Sequence, residues 1–326
     1  MSNIINSLLD TDFYKFTMGQ VVWNKWRDVP VRYAFINRTK NVRLGDSIRE
    51  EDLRKELDHV RQLHFHNSEL FYLRGINIYK NWMFSDDYIR FLNGLELPPY
   101  TLAWNKDGTF VLEFSGPWSQ TIYWETFALS IVNELYYRSL LATKSRFEQD
   151  AIYAAGRLRL AEKIRKLRAY PEIVFSDFGT RRRFSQEWQD YVAGVLAEEL
   201  PKQCRGTSNT HLAMDYGLLP MGTSAHELPM VMLGVLPRHE EFVVRDAQNN
   251  VLDAWWQEFG YGLSIALTDT FGSDFFYQVA PTQVAKEWKG IRQDSGDPFE
   301  EGEKALQWYE SHGVDPRQKM IVFSDG

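Results

Sequence analysis

Cysteine is almost absent from this sequence. Its 326 residues include one cysteine, Cys204, so no internal disulfide can form. An unpaired thiol is typical of a reducing compartment, and the sequence therefore predicts a cytoplasmic protein. No charged-then-apolar leader opens the chain, and no apolar run approaches the roughly 20 residues that cross a bilayer. We therefore expect no membrane association.

An excess of positive charge is also missing. The formal net charge is -7, whereas proteins that bind nucleic acids present basic faces to neutralise phosphates. A nucleic-acid partner is therefore not expected. A small anion held by a local basic cluster remains possible.

Metal-ligand patterns are scarce among the seven histidines. His64 and His66 could place two imidazoles on one strand face, but no third ligand is evident. We therefore expect no structural metal.

The two halves of the chain differ in the secondary structure that their residue patterns predict. Residues 1–120 lean towards strands and include a hairpin signal in "TLAWNKDGTFVLEFSG", which predicts an α+β domain. Residues 121–326 alternate helices with short apolar strands, in "EIVFSD", "LSIALTD", "GIRQDSG" and "MIVFSDG". This alternation predicts an α/β domain with a parallel, barrel-like sheet and helices outside it.

Two helices of the second half are predicted from their patterns. "SQEWQDYVAGVLAEEL" shows helical spacing of its apolar residues. In "GRLRLAEKIRKLR" the basic residues surround an apolar stripe of Leu160, Ile164 and Leu167. That basic run is interpreted as a solvated helix face rather than a phosphate-binding patch.

Charged residues follow the predicted strands of the second half. Asp269, Arg292, Asp294 and Asp325 each lie at or just after a strand end. Active sites of parallel α/β folds gather at the carboxyl ends of the strands, and four charged ends exceed what helix capping requires. Asp297, which precedes a proline, is interpreted as an N-cap only.

Three consecutive arginines, Arg181, Arg182 and Arg183, follow the strand "EIVFSD". They could be surface charges before a helix. Adjacent guanidinium groups repel one another, however, so at least one should have a fixed carboxylate or phosphate partner.

Two Gly-Thr-Ser stretches, 206–208 and 222–224, each precede a predicted helix, and free backbone amides there would suit an anion. His226 directly follows the second stretch. Strand-end carboxylates could orient its imidazole, so His226 is favoured as a catalytic or modified residue over a core histidine.

Several dispersed motifs together resemble one family. They are "TDFYKFTMGQ" at 11–20, "FGTRRR" at 178–183, "GTSN" at 206–209, "GTSAHE" at 222–227, "LTDTF" at 267–271 and "IRQDSGDP" at 291–298. In this order they are similar to nicotinate phosphoribosyltransferase, a type II phosphoribosyltransferase.

The resemblance implies an enzyme, both glycosyltransferase and ligase, that forms nicotinate mononucleotide and pyrophosphate from nicotinate and phosphoribosyl pyrophosphate. ATP would be a co-substrate, hydrolysed through a phosphohistidine, with Mg²⁺ on the pyrophosphate and ATP. This reaction would be the first step of NAD salvage from nicotinate. The family fold pairs an N-terminal open-faced sandwich with an irregular α/β barrel. Its members are commonly homodimers with shared active sites.

Site residues follow from the resemblance, motif by motif. The catalytic set is His226 as the phosphorylated residue, Asp269 orienting its imidazole, and Asp294 on the ribose hydroxyls. Substrate-binding roles fall on residues that hold the pyridine ring, its carboxylate or the ribose-phosphate: Asp12, Tyr14, Arg181, Ser208, Thr223 and Arg292. Asp12 and Tyr14 are expected to reach into the partner's site.

Ser208 bears on the substrate. Related nicotinamide-using enzymes carry an aspartate at the matching place, which would repel nicotinate, so serine favours the acid. The family also continues beyond the strand "IVFSDG" with more barrel and a glycine-rich loop for the 5′-phosphate. The chain is therefore expected to be truncated at its C-terminus.

Other functions remain open at this stage. A nicotinamide-type or quinolinate-type phosphoribosyltransferase would share the architecture. An inactive, truncated binding protein is the alternative from a different class.

Overall fold

The fold divides into two compact units that are interleaved along the chain. The structure, a computed structural model, describes residues 3–39, 41–237 and 242–324. Unit 1 comprises the described residues within Met1–Phe16, Pro30–Gly75 and Asp86–Gly222. Unit 2 comprises those within Thr17–Val29, Ile76–Ser85 and Thr223–Gly326. The domain boundary that the sequence suggests near residue 120 stays a prediction.

The described residues form both helices and strands. The helices are α1 (Tyr14–Lys25), α2 (Glu50–Arg61), α3 (Asn67–Gly75), α4 (Asp86–Asn93), α5 (Trp118–Thr121), α6 (Trp124–Ala142), α7 (Arg146–Arg168), α8 (Gln186–Glu199), α9 (Thr210–Tyr216), α10 (Glu227–Val235), α11 (Val243–Phe259), α12 (Ser273–Val279), α13 (Thr282–Glu287) and α14 (Pro298–Ser311). The strands are β1 (Pro30–Ala34), β2 (Asn77–Ile78), β3 (Asn81–Trp82), β4 (Tyr100–Trp104), β5 (Phe110–Pro117), β6 (Phe175–Asp177), β7 (Cys204–Thr207), β8 (Leu219–Pro220), β9 (Ile265–Leu267), β10 (Gly290–Gln293) and β11 (Met320–Phe323).

Unit 1 contains one antiparallel and one parallel sheet. The antiparallel sheet has the order β1-β5-β4, and its β4–β5 pair is the hairpin predicted from the turn residues. The parallel sheet has the order β6-β7-β8. Helix α7 packs Leu160 and Ile164 into a small apolar cluster with Cys204, while its charged residues stay outside, as predicted.

Unit 2 contains the parallel sheet β11-β10-β9 and the short hairpin β2–β3. Position 290, the first of β10, requires glycine because the backbone of β11 approaches closely: a Cβ there would lie 2.0 Å from the carbonyl oxygen of Met320.

The four strands predicted from "EIVFSD", "LSIALTD", "GIRQDSG" and "MIVFSDG" are confirmed, as β6, β9, β10 and β11. So is the mixed α/β fold class.

The helix starts follow ordinary capping chemistry. Ser185 accepts a hydrogen bond from the amide of Trp188 at the start of α8. Asp297 accepts from the amides of Phe299 and Glu300 at the start of α14, with Pro298 in the first turn, which confirms its predicted role. Among the described residues, no helix is both long enough and apolar enough to cross a membrane.

Candidate active site

The first group of candidate residues lies in unit 1, where the N-terminal segment crosses the end of β7. The amide of Phe13 donates to the carbonyl of Ser208 at 2.6 Å, and the amide of Thr210 donates to the carbonyl of Thr11 at 3.0 Å. These bonds bring together "TDFYK" and "GTSN", two motifs that are almost 200 residues apart in the sequence.

Asp12 and Ser208 contact each other directly. The Ser208 hydroxyl donates to Asp12 Oδ1 at 2.6 Å, and both side chains are buried. Burial raises the pKa of the Asp12 carboxyl above its ordinary value, although the Ser208 hydrogen bond and the Arg181 charge oppose the rise. Ser208 therefore already faces a carboxylate of its own chain.

Arg183 is the buried arginine of the consecutive three. Its guanidinium donates to both carboxylate oxygens of Asp10, at 2.6 and 2.8 Å, and to the carbonyl of Ile4 at 3.2 Å. Asn209 donates to the same Asp10 at 2.7 Å. The prediction that at least one of these arginines has a fixed anionic partner is confirmed, and here that partner is structural.

Arg181 and Arg182 differ from Arg183. Arg182 is exposed, whereas Arg181 is about one-third exposed and donates from Nη1 to the Tyr14 hydroxyl at 2.9 Å. Glu125 Oε1 lies 3.7 Å from the same nitrogen. Of the three guanidinium groups, that of Arg181 combines a fixed position with access to solvent.

Glu125 links Arg181 to a buried lysine. Lys15, with 0% exposure, forms an ion pair with Glu125, and its ammonium lies 5.4 Å from the centre of the Tyr14 ring. Burial would raise the pKa of Glu125, but the charges of Lys15 and Arg181 lower it below its ordinary value. An ionised carboxylate thus holds both cations around Tyr14.

Gly222 fixes the backbone of Tyr14. A Cβ at position 222 would lie 2.5 Å from the Tyr14 amide nitrogen, so a larger residue would displace the start of α1. The first residue of "GTSAHE" is thus required by close packing.

The first Gly-Thr-Ser stretch does not form the predicted turn with free amides. Gly206 and Thr207 belong to β7, and the Ser208 amide donates to the carbonyl of Asp177 at 2.8 Å. Gly206 is needed because a Cβ would lie 2.1 Å from the carbonyl oxygen of Leu219 in β8. The amides are therefore used by the sheet, and an anion at this stretch would have to be bound by side chains.

The second group lies in unit 2, around His226 at the start of α10. Its Nε2 is 3.0 Å from Asp294 Oδ2 and its Nδ1 is 3.0 Å from the Thr270 hydroxyl. Asp269 Oδ1 is 3.9 Å from Nε2. The resemblance assigned imidazole orientation to Asp269, whereas in the structure Asp294 makes the direct hydrogen bond.

Hydroxyl groups at the strand ends hold the two carboxylates. Ser295 donates to Asp269 Oδ2 and Ser324 donates to Asp294 Oδ1, each at 2.5 Å. Because β9, β10 and β11 are parallel, their carboxyl ends meet at one edge, as predicted. Asp325, the last of the predicted strand-end charges, lies outside the described residues.

The electrostatics favour an ionised Asp294. Burial would raise the pKa of this carboxyl, but hydrogen bonds from His226 and Ser324 and the nearby Arg292 charge lower it well below its ordinary value. Arg292 Nη2 is 4.0 Å from Asp294 Oδ2. Asp269 Oδ1, in contrast, is buried and has no hydrogen-bond partner among the residues that the structure describes.

Thr223 precedes this group in the chain and is half-buried. Its carbonyl accepts a hydrogen bond from the Thr17 hydroxyl at 3.2 Å. This hydrogen bond therefore joins the backbone of Thr223 to α1.

The geometry around His226 determines its tautomer. An ionised carboxylate can only accept, so Nε2 carries the proton that it shares with Asp294. In the neutral ring, Nδ1 then has the lone pair and accepts from Thr270. Such an imidazole can act as a nucleophile or a base at Nδ1.

Sequence reasoning missed several residues of both groups. Lys15, Asn209, Thr270 and Ser295 lie inside the quoted motifs but were given no role. Glu125 had a signal of its own, because it is an isolated charge in the apolar run that begins α6.

Comparisons with known protein families agree with the motifs. The profile of the nicotinate phosphoribosyltransferase (NAPRTase) N-terminal domain matches residues 9–133. The profile of the nicotinate phosphoribosyltransferase (NAPRTase) family matches residues 173–326. Together the two matches cover most of the chain.

Solved structures are similar over the whole chain. Nicotinate phosphoribosyltransferase from Porphyromonas gingivalis is 30% identical, with a TM-score of 0.84, over 99% of this chain and 78% of that one. The Vibrio cholerae enzyme is 31% identical, with a TM-score of 0.82, over 99% and 74%. A putative nicotinate phosphoribosyltransferase from Saccharomyces cerevisiae is 29% identical, with a TM-score of 0.85, over 100% and 79%.

Proposed function

The chain belongs to the nicotinate phosphoribosyltransferase family, and from this membership we propose that it joins nicotinate to phosphoribosyl pyrophosphate with ATP hydrolysis through a phosphohistidine at His226. As a family member it is a phosphoribosyltransferase of pyridine nucleotide biosynthesis. The ATP coupling, which makes the enzyme a ligase as well, is the specific part of the proposal.

One observation supports the coupling most directly: both ring nitrogens of His226 are held, by Asp294 and by Thr270. The Asp294 carboxylate keeps the proton on Nε2 and stabilises the positive charge that develops when Nδ1 attacks the γ-phosphorus of ATP and ADP departs. We therefore propose Nδ1 as the phosphorylated atom. The Thr270 hydroxyl would leave Nδ1 as the phosphoryl group arrives.

The carboxylates would also serve the transfer of the ribose. Displacement of pyrophosphate builds positive charge on the anomeric carbon, and ionised Asp294 can stabilise that charge and bind the ribose hydroxyls. Arg292 can bind a phosphate of the same substrate.

Mg²⁺ is proposed to enter with the pyrophosphate or ATP. The residues fit such an ion, because Asp269 Oδ1 is a buried carboxylate oxygen for which the described part of the chain provides no hydrogen-bond partner. Protein sites for substrate-borne Mg²⁺ commonly supply only one or two carboxylates. When bound, the ion would neutralise charge on the departing pyrophosphate.

Arg181 is the proposed partner of the nicotinate carboxylate. Tyr14 and Glu125 fix its guanidinium, and its partial exposure leaves donors for a ligand. Tyr14 would lie against the pyridine ring. Thr223 would line the pocket, and Ser208, with a hydroxyl rather than a carboxylate, favours the acid over the amide.

The proposal is tested by replacing His226 with alanine and measuring nicotinate mononucleotide formation and nicotinate-dependent ATP hydrolysis. We expect His226→Ala to lose the ATP hydrolysis and to keep its far-ultraviolet circular dichroism. His211→Ala is the matched control, because His211 also lies at the start of a helix beside an aspartate, in α9. Unchanged ATP turnover in folded His226→Ala would reject the phosphohistidine.

Two further measurements separate the alternatives. A quinolinate-type enzyme should show no stimulation by ATP, and a nicotinamide-type enzyme should prefer the amide. The homodimer is also proposed, and sedimentation velocity would test it. Within one chain, Asp12 contacts Ser208 and Tyr14 contacts Arg181.

A further inference from the structure

We propose that His226, Asp269 and Asp294 form an inhibitory site for a divalent transition-metal ion of the Zn²⁺ class. The three residues each offer one ligand atom, and these atoms lie within 4.8 Å of one another. One imidazole nitrogen and two carboxylate oxygens form a donor set that Zn²⁺ accepts readily.

The spacing of the ligand atoms fits a tetrahedral ion. Bonds of about 2.0 to 2.1 Å at tetrahedral angles place two ligand atoms about 3.3 Å apart. His226 Nε2 lies 3.0 Å from Asp294 Oδ2 and 3.9 Å from Asp269 Oδ1. Each of these two distances is within a few tenths of an ångström of the tetrahedral spacing, and the two carboxylate oxygens lie within 4.8 Å of each other, with the fourth position left for water.

Asp269 Oδ1, which the proposed substrate-borne Mg²⁺ would also use, is a second observation besides the ligand spacing that points to a cation at this place. Its side chain is only 7% exposed, and Oδ1, 3.9 Å from His226 Nε2, accepts no hydrogen bond from any described residue. A buried carboxylate oxygen in this state is costly unless something fills its coordination. A cation between the two carboxylates would do so.

A hydroxyl group holds each ligand from the outside. Ser295 binds the second oxygen of Asp269, Ser324 binds the second oxygen of Asp294, and Thr270 contacts His226 Nδ1. Such outer partners fix the orientation of metal ligands. These three contacts use the outer atoms of the ligands, so His226 Nε2, Asp269 Oδ1 and Asp294 Oδ2 remain close to one another.

Metal binding would use a different ring nitrogen from phosphorylation. An ion on Nε2 takes the place of the proton shared with Asp294, and in the neutral ring that proton moves to Nδ1. Nδ1 then donates a hydrogen bond to the Thr270 hydroxyl and has no lone pair with which to attack phosphorus. Inhibition by this route rests on the proposed phosphorylation at Nδ1, whereas the metal site itself does not.

Arg292 sets the expected strength of binding. Its guanidinium lies 4.0 Å from Asp294 Oδ2 and is mostly buried, so it repels a second cation. The site should therefore bind metal reversibly rather than retain it permanently. Removal of this positive charge should strengthen metal binding although it weakens a phosphate site.

The test is titration of the substrate-free, metal-free protein with Co²⁺, followed by its visible absorption, with Zn²⁺ then used to displace it. A four-coordinate Co²⁺ ion absorbs far more strongly than the six-coordinate ion in water. We expect one equivalent of strongly absorbing Co²⁺ that Zn²⁺ displaces. In His226→Ala the intense band should be lost, and Arg292→Gln should bind about tenfold more tightly because a nearby positive charge is removed.

His211→Asn is the control, because His211 and Asp215 are also within ligand distance, 3.1 Å, but lack a third partner of this kind in the described structure. This variant should titrate as the unmodified chain does. A six-coordinate spectrum, or an intense band that survives in His226→Ala, would overturn the proposal. So would weaker binding by Arg292→Gln. None of these outcomes depends on catalytic activity.

Discussion

Arg181, Arg182 and Arg183 are adjacent in the sequence but occupy three different environments, because a turn of 3₁₀ helix at Thr180–Arg182 directs successive side chains apart. Arg183 enters the core to meet Asp10, Arg182 faces solvent, and Arg181 stands between Tyr14 and Glu125. A run of like charges can therefore combine a structural ion pair, at Arg183, with a proposed ligand-binding group, at Arg181.

Alanine at each arginine should separate these roles. Arg183→Ala leaves Asp10 buried without its cation and should lower the free energy of unfolding by about 3 to 5 kcal/mol. Arg181→Ala should leave stability nearly unchanged and raise the KM for nicotinate. Urea denaturation and steady-state kinetics measure the two effects.

Arg182→Ala is the control for both arginine variants and should change neither quantity. Sequence reasoning requires a fixed anionic partner for at least one of the three arginines but leaves open which one, because Asp10 and Arg183 are 173 residues apart in the sequence. Equal effects of all three variants would contradict the assignment.

Ser208→Asp is expected to act through Asp12 as well as through the substrate. The new carboxylate would lie beside Asp12 Oδ1, which now accepts the Ser208 hydrogen bond, so one of the two acids would have to take up a proton. Nicotinate specificity, kcat/KM, should fall. Ser208→Ala removes the hydrogen bond without adding charge and should lose less, so kinetics on nicotinate and nicotinamide for both variants check the prediction.

Glu125→Gln should reveal a pH-dependent contribution to stability. The folded-state pKa of Glu125 lies below its ordinary 4.5, so its charge stabilises the fold above pH 4.5, and this contribution is lost as the pH falls through the folded-state pKa. The difference in urea midpoint between the unmodified chain and the variant should therefore be largest at neutral pH and shrink in acid. A difference that stays constant with pH would show that Glu125 acts through packing alone.

At the scale of elements, the sequence predicts the strands whose pattern is local. Charged or hydroxyl residues follow β9, β10 and β11. The alternation of these strands with helices indicates a parallel sheet, whose carboxyl ends bring such residues together. The stretch at Gly206 was misjudged because a glycine in a turn and a glycine under a neighbouring strand look alike in a sequence. The packing of Lys15 against Glu125 was not predictable, since it joins α1 to α6 through tertiary structure only.

Gly222→Ala tests whether the second Gly-Thr-Ser stretch positions Tyr14. Its Cβ would press on the Tyr14 backbone at the start of α1, so we expect a higher KM for nicotinate together with lower stability. Gly234→Ala is the control, because the residue is helical, in α10, and among the described residues no atom beyond its chain neighbours and its own helix backbone lies within 4 Å of a Cβ there. That variant should gain about 0.5 to 1 kcal/mol of stability. Loss of stability in both variants would show that backbone freedom matters at both sites.

At the scale of the whole molecule, the chain passes repeatedly between the two units. Residues 17–29 and 76–85 precede most of unit 1 in sequence but belong to unit 2. There, Asn24 bonds with Glu258 and the hairpin residue Tyr79 packs on Tyr261. A cut at one position in the chain therefore cannot separate the two compact units.

This interleaving leads to a prediction for the fragment 121–326, which a boundary near residue 120 would define as a domain. The fragment keeps β6, β7 and Arg183 but loses Asp10, so its buried guanidinium would have no carboxylate partner. It also loses the N-terminal segment, whose carbonyl at Thr11 pairs with the amide of Thr210. We expect no cooperative urea transition from the fragment alone, and partial recovery when residues 1–120 are co-expressed with it. Circular dichroism would follow the urea transition, and hydrogen exchange at residues 204–211 would follow the recovery on co-expression. A cooperative transition of the isolated fragment would instead establish an independently folding domain after residue 120.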